Sequence, residues 1–151
     1  MAPFTITRTV VIAAPAADVR PHLVDFRSWQ PWSPWEGLDA DLTRTYTGSE
    51  QGAGSRYAWE GRKSGAGSME ITVATEHRIE IDLRFTRPWK ATNRVTLLLT
   101  PDVDGTAVTW TMDGENTGLA ALFARLFSLD AMLGKDFEKG LAALKTVVED
   151  T

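Results

Sequence analysis

Arg78-Ile-Glu-Ile-Asp-Leu-Arg-Phe-Thr86 is the stretch that decides the fold. Ile79, Ile81, Leu83 and Phe85 alternate with charged residues. Successive side chains of a strand point to opposite faces, so this period of two puts all four apolar residues on one face of a half-buried strand. A helix would scatter them around its circumference. Pro88 ends the pattern, because proline lacks the N–H that a strand ladder needs.

Similar short strands lie on both sides. Towards the N-terminus, the pattern predicts Asp41–Thr47, a turn at Gly48–Gly54, Ser55–Glu60, a turn at Gly61–Gly67, and Ser68–Thr75 with Met69, Ile71 and Val73 on one face. Towards the C-terminus it predicts Thr92–Thr100, a turn at Pro101–Gly105, and Thr106–Met112 with Val108, Trp110 and Met112 on one face. Short strands joined by short glycine-rich turns read as an antiparallel meander. Thr5–Ala13 is a further β-branched strand at the start of the chain. A short amphipathic helix follows it, carried by Val19, Leu23 and Phe26, with Pro15 suited to a first turn and Pro21 in a first turn or at a kink.

Beyond the last strand, Leu119, Leu122, Phe123, Leu126, Phe127, Leu133, Phe137, Leu141, Leu144 and Val148 form a helical stripe. A helix from Thr117 to about Glu149, capped by Asn116 or Thr117, would span ~45 Å and has to lie along the sheet. Gly134 and Gly140 bend it or admit a close neighbour. Seven antiparallel strands and one long helix give an α+β layer architecture.

The chain of 151 residues reads as one domain, 1–151. Its 43% hydrophobic and 24% charged content is that of a folded protein rather than a disordered one. It has no cysteine, which excludes disulfides, thiolate metal sites and a cysteine nucleophile. Its net charge is −4 and Arg62-Lys63 is its only adjacent basic pair, so nucleic acid is not an expected partner. No signal peptide or membrane-length apolar run is evident, which predicts a cytoplasmic location.

Arg27-Ser-Trp-Gln-Pro-Trp-Ser-Pro-Trp-Glu-Gly37 holds three tryptophans and two prolines. The prolines exclude a regular element, and the tryptophans favour a loop folded back on the core.

Three stretches together resemble the SRPBCC superfamily, which groups START domains and the birch-pollen-allergen fold with a bacterial polyketide cyclase/dehydrase branch. They are Val11-Ile-Ala-Ala-Pro-Ala-Ala-Asp-Val19, Trp29-Gln-Pro-Trp-Ser-Pro-Trp-Glu36, and Gly134-Lys-Asp-Phe-Glu-Lys-Gly-Leu-Ala-Ala-Leu144. The resemblance covers nearly the whole chain. It implies a helix-grip fold, a seven-stranded curved sheet wrapped around the C-terminal helix, with a hydrophobic cavity between them. It does not imply one activity. Relatives bind lipids, hormones or polyketides, and some cyclise aromatic polyketides.

The inner surface is expected to be lined by Tyr57, Trp59, Met69, Ile71, Ile81, Leu83, Phe85, Leu97, Trp110 and Met112, facing Phe123, Phe127, Met132 and Phe137. Either these residues surround a ligand-sized cavity, or they fill the interior at ordinary core density. Likewise Trp29, Trp32 and Trp35 form either a lid or a fixed plug.

Arg44, Asn93 and Thr109 are polar candidates on strands. Glu60 and Glu36 are carboxylates that burial would turn into general acids. By alternation Glu60 opposes Trp59 and faces out if the indole faces in, unless a bulge near Gly61 reverses it. A cyclase would use Arg44 to stabilise an enolate and a carboxylate or tyrosine to move protons. His22 and His77 have no metal-ligand spacing, and no phosphate loop or cofactor motif is present. Metal and cofactor are therefore not expected.

Three functions follow: binding of a small hydrophobic or aromatic ligand as carrier or sensor, a polyketide cyclase/dehydratase-like activity, and a partner-binding module. The protein is expected to be a monomer or homodimer.

Overall fold

The computed structural model describes residues 2–35, 40–63, 65–87, 90–116 and 129–151. Strand β1 (Ala2–Ile12) leads into two single helical turns, α1 (Ala16–Val19) and α2 (Pro21–Val24), and a 3-10 turn at Phe26–Trp29. Six strands follow: β2 (Thr43–Gly48), β3 (Ser55–Gly61), β4 (Gly65–Ala74), β5 (Arg78–Arg87), β6 (Ala91–Asp102) and β7 (Gly105–Asn116). Helix α3 (Leu129–Glu149) ends the chain.

The strands make one antiparallel sheet in the order β1-β7-β6-β5-β4-β3-β2. The meander runs from β2 to β7, and β1 closes on β7 from the other side. The N-terminal helical turns and the tryptophan loop therefore connect the two edges. Helix α3 lies against the inner face beside β1 and fastens that edge. Lys145 Nζ donates to the Val11 carbonyl at 2.9 Å, and the Glu149 carboxylate accepts from the Ala13 amide at 2.8 Å.

Alternation fixes the two faces. Ile79, Ile81 and Leu83 of β5, Val95, Leu97 and Leu99 of β6, and Val108, Trp110 and Met112 of β7 are buried inward. Phe137, Leu141, Leu144 and Val148 of α3 meet them. The outer face is hydrophilic: Thr7 pairs with Thr111, Thr9 with Thr109, and Arg94 with Glu80 and Asp82.

Four expectations need correction. The first helix is two turns, because Pro21 begins α2, where its missing N–H is harmless. The turn expected over Gly61–Gly67 is shorter, since β3 runs to Gly61 and β4 starts at Gly65. Val73 does not share a face with Met69 and Ile71. A bulge at Thr72 pairs Val73 with Glu80, and Ala74 takes the inward place opposite Ile79. Strand β6 continues through Pro101 to Asp102, and the chain reverses over Val103 and Asp104. Gly105 makes that reversal possible with φ 138°, and a β-carbon there would lie 2.0 Å from the Ile12 carbonyl oxygen. The segment expected to begin the long helix, 117–128, lies outside the described residues, and with it Phe123 and Phe127.

Candidate functional site

The inner face has two differently packed ends. At the end near α1 and α2 the tryptophan loop closes the core. Trp29 Nε1 donates to the Leu23 carbonyl at 3.0 Å and Trp32 Nε1 to the His22 carbonyl at 3.1 Å. These are the open carbonyls at the end of α2, so the loop's indoles serve as its C-terminal cap. Trp29, Trp32 and Trp35 stand edge-on to Trp110 at centroid distances of 6.1, 5.7 and 5.7 Å. Trp110 stacks on Phe137 at 4.3 Å with the rings nearly parallel. Two glycines let α3 come this close. A β-carbon on Gly140 would lie 2.8 Å from Pro34 and 3.0 Å from Trp110, and one on Gly134 would strike the Arg8 guanidinium.

This end is full. Trp32 and Trp110 are 1% exposed and Ile81 is 0% exposed. Side chains with so little accessible surface line no space that a water could occupy. These three expected ligand contacts are therefore core residues in this conformation, held by dense packing. Trp110 carries an anomaly: its Nε1 is buried and has no hydrogen-bond partner among the described residues.

The other end of the inner face is only partly covered. Tyr46, Trp59, Met69, Phe85 and Phe4 are half-buried, and Trp35 lies at the boundary. Their aromatic rings form a continuous wall. Tyr46 lies 5.3 Å from Tyr57, Tyr57 stacks with Trp59 at 6.1 Å, and Trp59 meets Phe85 edge-on at 5.6 Å. The wall crosses β4 because Gly67 leaves room. A β-carbon at Gly67 would lie 2.5 Å from the Trp59 ring. Gln30 donates to the Tyr46 hydroxyl at 2.8 Å, and the Arg27 guanidinium lies 4.7 Å over its ring. Tyr46 is thereby held in place as the wall's outer member.

Among the polar candidates, Arg44 and Asn93 share the inner face: Arg44 is the register partner of Trp59, and Asn93 of Leu83. Thr109 faces out and bonds Thr9. Glu60 also faces out, with its side chain 72% exposed and 3.4 Å from Arg87. No bulge turns it inward, so it faces out as the alternation with Trp59 predicts, and no cavity carboxylate stands at this position. Glu36 and the side chain of Met132 lie outside the described residues. His22 supplies its backbone carbonyl to Trp32, and His77 is exposed beside Glu76. Among the described residues no cluster of potential ligands could hold a metal, and no helix is long and apolar enough to cross a membrane.

Sequence reading missed Phe4, Tyr46 and Arg8. Phe4 and Arg8 fall on the same alternation as Ile6 and Ile12, which extends one step before the expected strand start. Arg8 points inward beneath α3, 3.8 Å from Glu138. Its position was readable from the alternation, but its neighbour Gly134 was not.

The sequence matches the family model described as polyketide cyclase / dehydrase and lipid transport over residues 3–149. No curated protein matches it. Solved structures with the same fold include a protein of Thermobifida fusca, 22% identical, with a TM-score of 0.69 and coverage of 95% of this chain and 92% of that one. A protein of Mesorhizobium loti is 14% identical with a TM-score of 0.71 and 98% coverage of both chains. A Chromobacterium violaceum protein is 17% identical, with a TM-score of 0.69 and 96% coverage of both. At these identities the likeness establishes a shared helix-grip fold.

Proposed function

The chain belongs to the polyketide cyclase/dehydrase and lipid transport family, and from that premise we propose that it acts as one domain that binds a small hydrophobic or aromatic molecule between its sheet and C-terminal helix. One observation carries this reading. The inner face is packed without space around Trp110, while its other end presents the half-buried rings of Tyr46, Trp59 and Phe85, joined through the buried ring of Tyr57. Large aromatic side chains left half-covered on a concave face are costly in water and give an apolar ligand its contact area. The polar groups on that face are few, as in sites where polar contacts orient an otherwise apolar ligand. The occupant is an uncomplicated guest for a carrier or sensor: no cofactor, no metal and no nucleic acid enters the proposal.

A cyclase/dehydratase needs a proton-transfer group at the bound ligand. Among the described residues the inner sheet face carries no Asp or Glu and Glu60 faces solvent, which leaves Tyr46 and Tyr57 as its proton-transfer groups, and the Tyr46 hydroxyl already accepts from Gln30. This favours binding over turnover. The partner-binding alternative draws no support from the surface. Among the described residues the large apolar side chains classed as exposed are Val11 and Val103, which form no patch.

Native mass spectrometry of freshly purified protein, followed by denaturation and identification of released compounds, tests the proposal. The expected result is a bound apolar molecule, or uptake of one from a hydrophobic library by the stripped protein. A clean apo mass that persists after incubation with the library would refute it.

A further inference from the structure

We infer that Asn93 is the polar anchor of the ligand site, and that the ligand presents to it an uncharged end with a hydrogen-bond acceptor beside a donor, as the edge of a carboxamide or lactam does. This rests on the ligand-binding reading above and adds the chemical class of the bound end.

Asn93 occupies an inward position on β6, in line with Val95, Leu97 and Leu99. A β-branched or aliphatic residue suits such a place, since strand stability there comes from apolar packing. Asn93 is 7% exposed, and its side chain makes no hydrogen bond among the described residues. A carboxamide offers two donor hydrogens and a carbonyl oxygen. Held largely out of water and without a partner among the described residues, it is a hydrogen-bonding group left available at the edge of a hollow.

The opposite strand makes a matching concession. Gly114 of β7 is not in a left-handed conformation, so its backbone does not require glycine. Its space does. A β-carbon at Gly114 would lie 1.9 Å from Asn93 Oδ1 and 2.8 Å from the Phe4 ring. Glycine inside a strand weakens it and marks a place that something approaches closely. Two neighbouring positions on β6 and β7 thus each hold the less stable choice, and together they keep a carboxamide seated over bare backbone. Such local departures from packing rules are typical of functional sites.

The surroundings specify the rest of the ligand. Leu83 faces Asn93 in register, and Phe85 is its diagonal neighbour on the same face, roughly 7–8 Å away. Phe85 in turn meets Trp59. A flat apolar body lying on these two rings brings its end to the Asn93 amide. The amide has no charge, its inward-facing neighbours Phe4, Leu83 and Val95 are apolar, and the charges of the same hollow, Asp82, Arg94 and Asp113, belong to the other face of the strands, so a charged ligand end lying on the inner face would lose its hydration without an ion partner beside Asn93.

Binding of 2-naphthamide, 2-methylnaphthalene and 2-naphthoate to the wild-type protein and to Asn93→Leu and Gly114→Ala tests the inference. The amide and the hydrocarbon share a two-ring body and differ at the end that Asn93 would read. Asn93→Leu is expected to weaken 2-naphthamide by about tenfold relative to 2-methylnaphthalene, the factor that corresponds to one hydrogen bond. Gly114→Ala, which displaces the amide while keeping Asn93, should shift the same ratio in the same direction. Asn93→Leu should also melt at a higher temperature than the wild type, because it replaces a largely buried polar group that has no partner among the described residues by an apolar one. A ratio unchanged in both variants, with both probes bound, overturns the role of Asn93 and leaves the binding reading standing. Tighter binding of 2-naphthoate than of the amide overturns the uncharged end, and a lower melting temperature for Asn93→Leu overturns the unpaired amide. Failure of all three probes to bind the wild type would sink the binding reading itself, and this inference with it.

Discussion

Replacing Gly140 and Gly134 by alanine, one at a time, should move stability in opposite directions although both lie in one helix. Glycine in a helix interior costs roughly 0.8–1.0 kcal/mol relative to alanine, so each replacement starts with that gain. What the new β-carbon meets decides the sign. At Gly140 it would lie 2.8 Å from Pro34 Cδ, 3.0 Å from Trp110 Cζ3 and 3.3 Å from Pro34 Cγ. Carbon atoms attract best at about 3.5–4.0 Å, so three contacts are too short. The proline ring is rigid. Trp110 is clamped between Phe137 and three other indoles. Overpacking of this kind typically costs about 1–3 kcal/mol, which outweighs the helix gain and leaves a net loss near ~1 kcal/mol. At Gly134 the β-carbon would meet the tip of Arg8, whose side chain is 28% exposed and 3.8 Å from Glu138. A guanidinium on a flexible stem can swing aside at the cost of its 3.8 Å ion pair, worth at most ~1 kcal/mol, and of its 2.8 Å bond to the Thr7 carbonyl, which water can replace at a part-exposed tip. Gly134→Ala should therefore be neutral to stabilising by ~0.5 kcal/mol. The two variants should differ by ~1–2 kcal/mol, or roughly 3–6 °C in Tm for a chain of this size. Urea unfolding followed by tryptophan fluorescence, with a shared m value, measures the difference. A Gly140→Ala protein as stable as Gly134→Ala would refute the clamp of Pro34 and Trp110 on α3.

Two further outcomes follow from the same geometry. Gly67→Ala places a β-carbon 2.3 Å from the Arg84 carbonyl oxygen and 2.5 Å from Trp59, so it should destabilise by ~1–3 kcal/mol. In a Trp59→Ala background the cost should fall by about 1 kcal/mol, and equal costs in both backgrounds, measured by thermal unfolding, would mean that Trp59 does not lie across β4. Glu80 accepts from Arg78 and Arg94, each at 2.9 Å, and its hydrogen bond to Arg78 is the chief reason its pKa lies below the ordinary glutamate value. A lowered folded-state pKa means that the contribution is complete above the unfolded value, about 4.3, and is lost as pH falls through the folded value. Glu80→Gln should lower stability by about 0.5 kcal/mol at pH 7, with the deficit shrinking below about pH 4. A deficit that stays constant or grows on acidification would contradict this.

The sheet was legible because its evidence is local. Ile79, Ile81, Leu83 and Phe85 show their period within a few residues, and the strands around them show their limits through glycine-rich turns. The bulge at Thr72 was not, because nothing in Met69-Glu-Ile-Thr-Val73 distinguishes a regular strand from a bulged one; the register with Glu80 and Ile79 decides it. The glycines show the same limit. Gly65-Ala-Gly67 reads as a turn, yet Gly67 lies within β4 beneath an indole that belongs to β3. Asn93 was legible in sequence as a polar candidate on a strand, beside Arg44 and Thr109. That its amide is seated over Gly114 depends on a strand twenty residues later, and only the paired strands reveal it.

The choice between lid and plug for the tryptophan loop turns on hydrogen bonds. Opening the loop would expose the Trp29 and Trp32 rings and break both bonds from their indole nitrogens to the carbonyls that end α2. Each buried polar group left without a partner costs about 1–3 kcal/mol unless water replaces the partner, and the apolar surface exposed adds more. Among the described residues Trp35 has neither restraint: it is half-buried and meets Trp110 and Phe137 through ring contacts. The loop is therefore a fixed wall as far as Trp32, and its adaptable member is Trp35. A ligand on the Trp59–Phe85 wall can gain contact from Trp35 without disturbing the bonded pair.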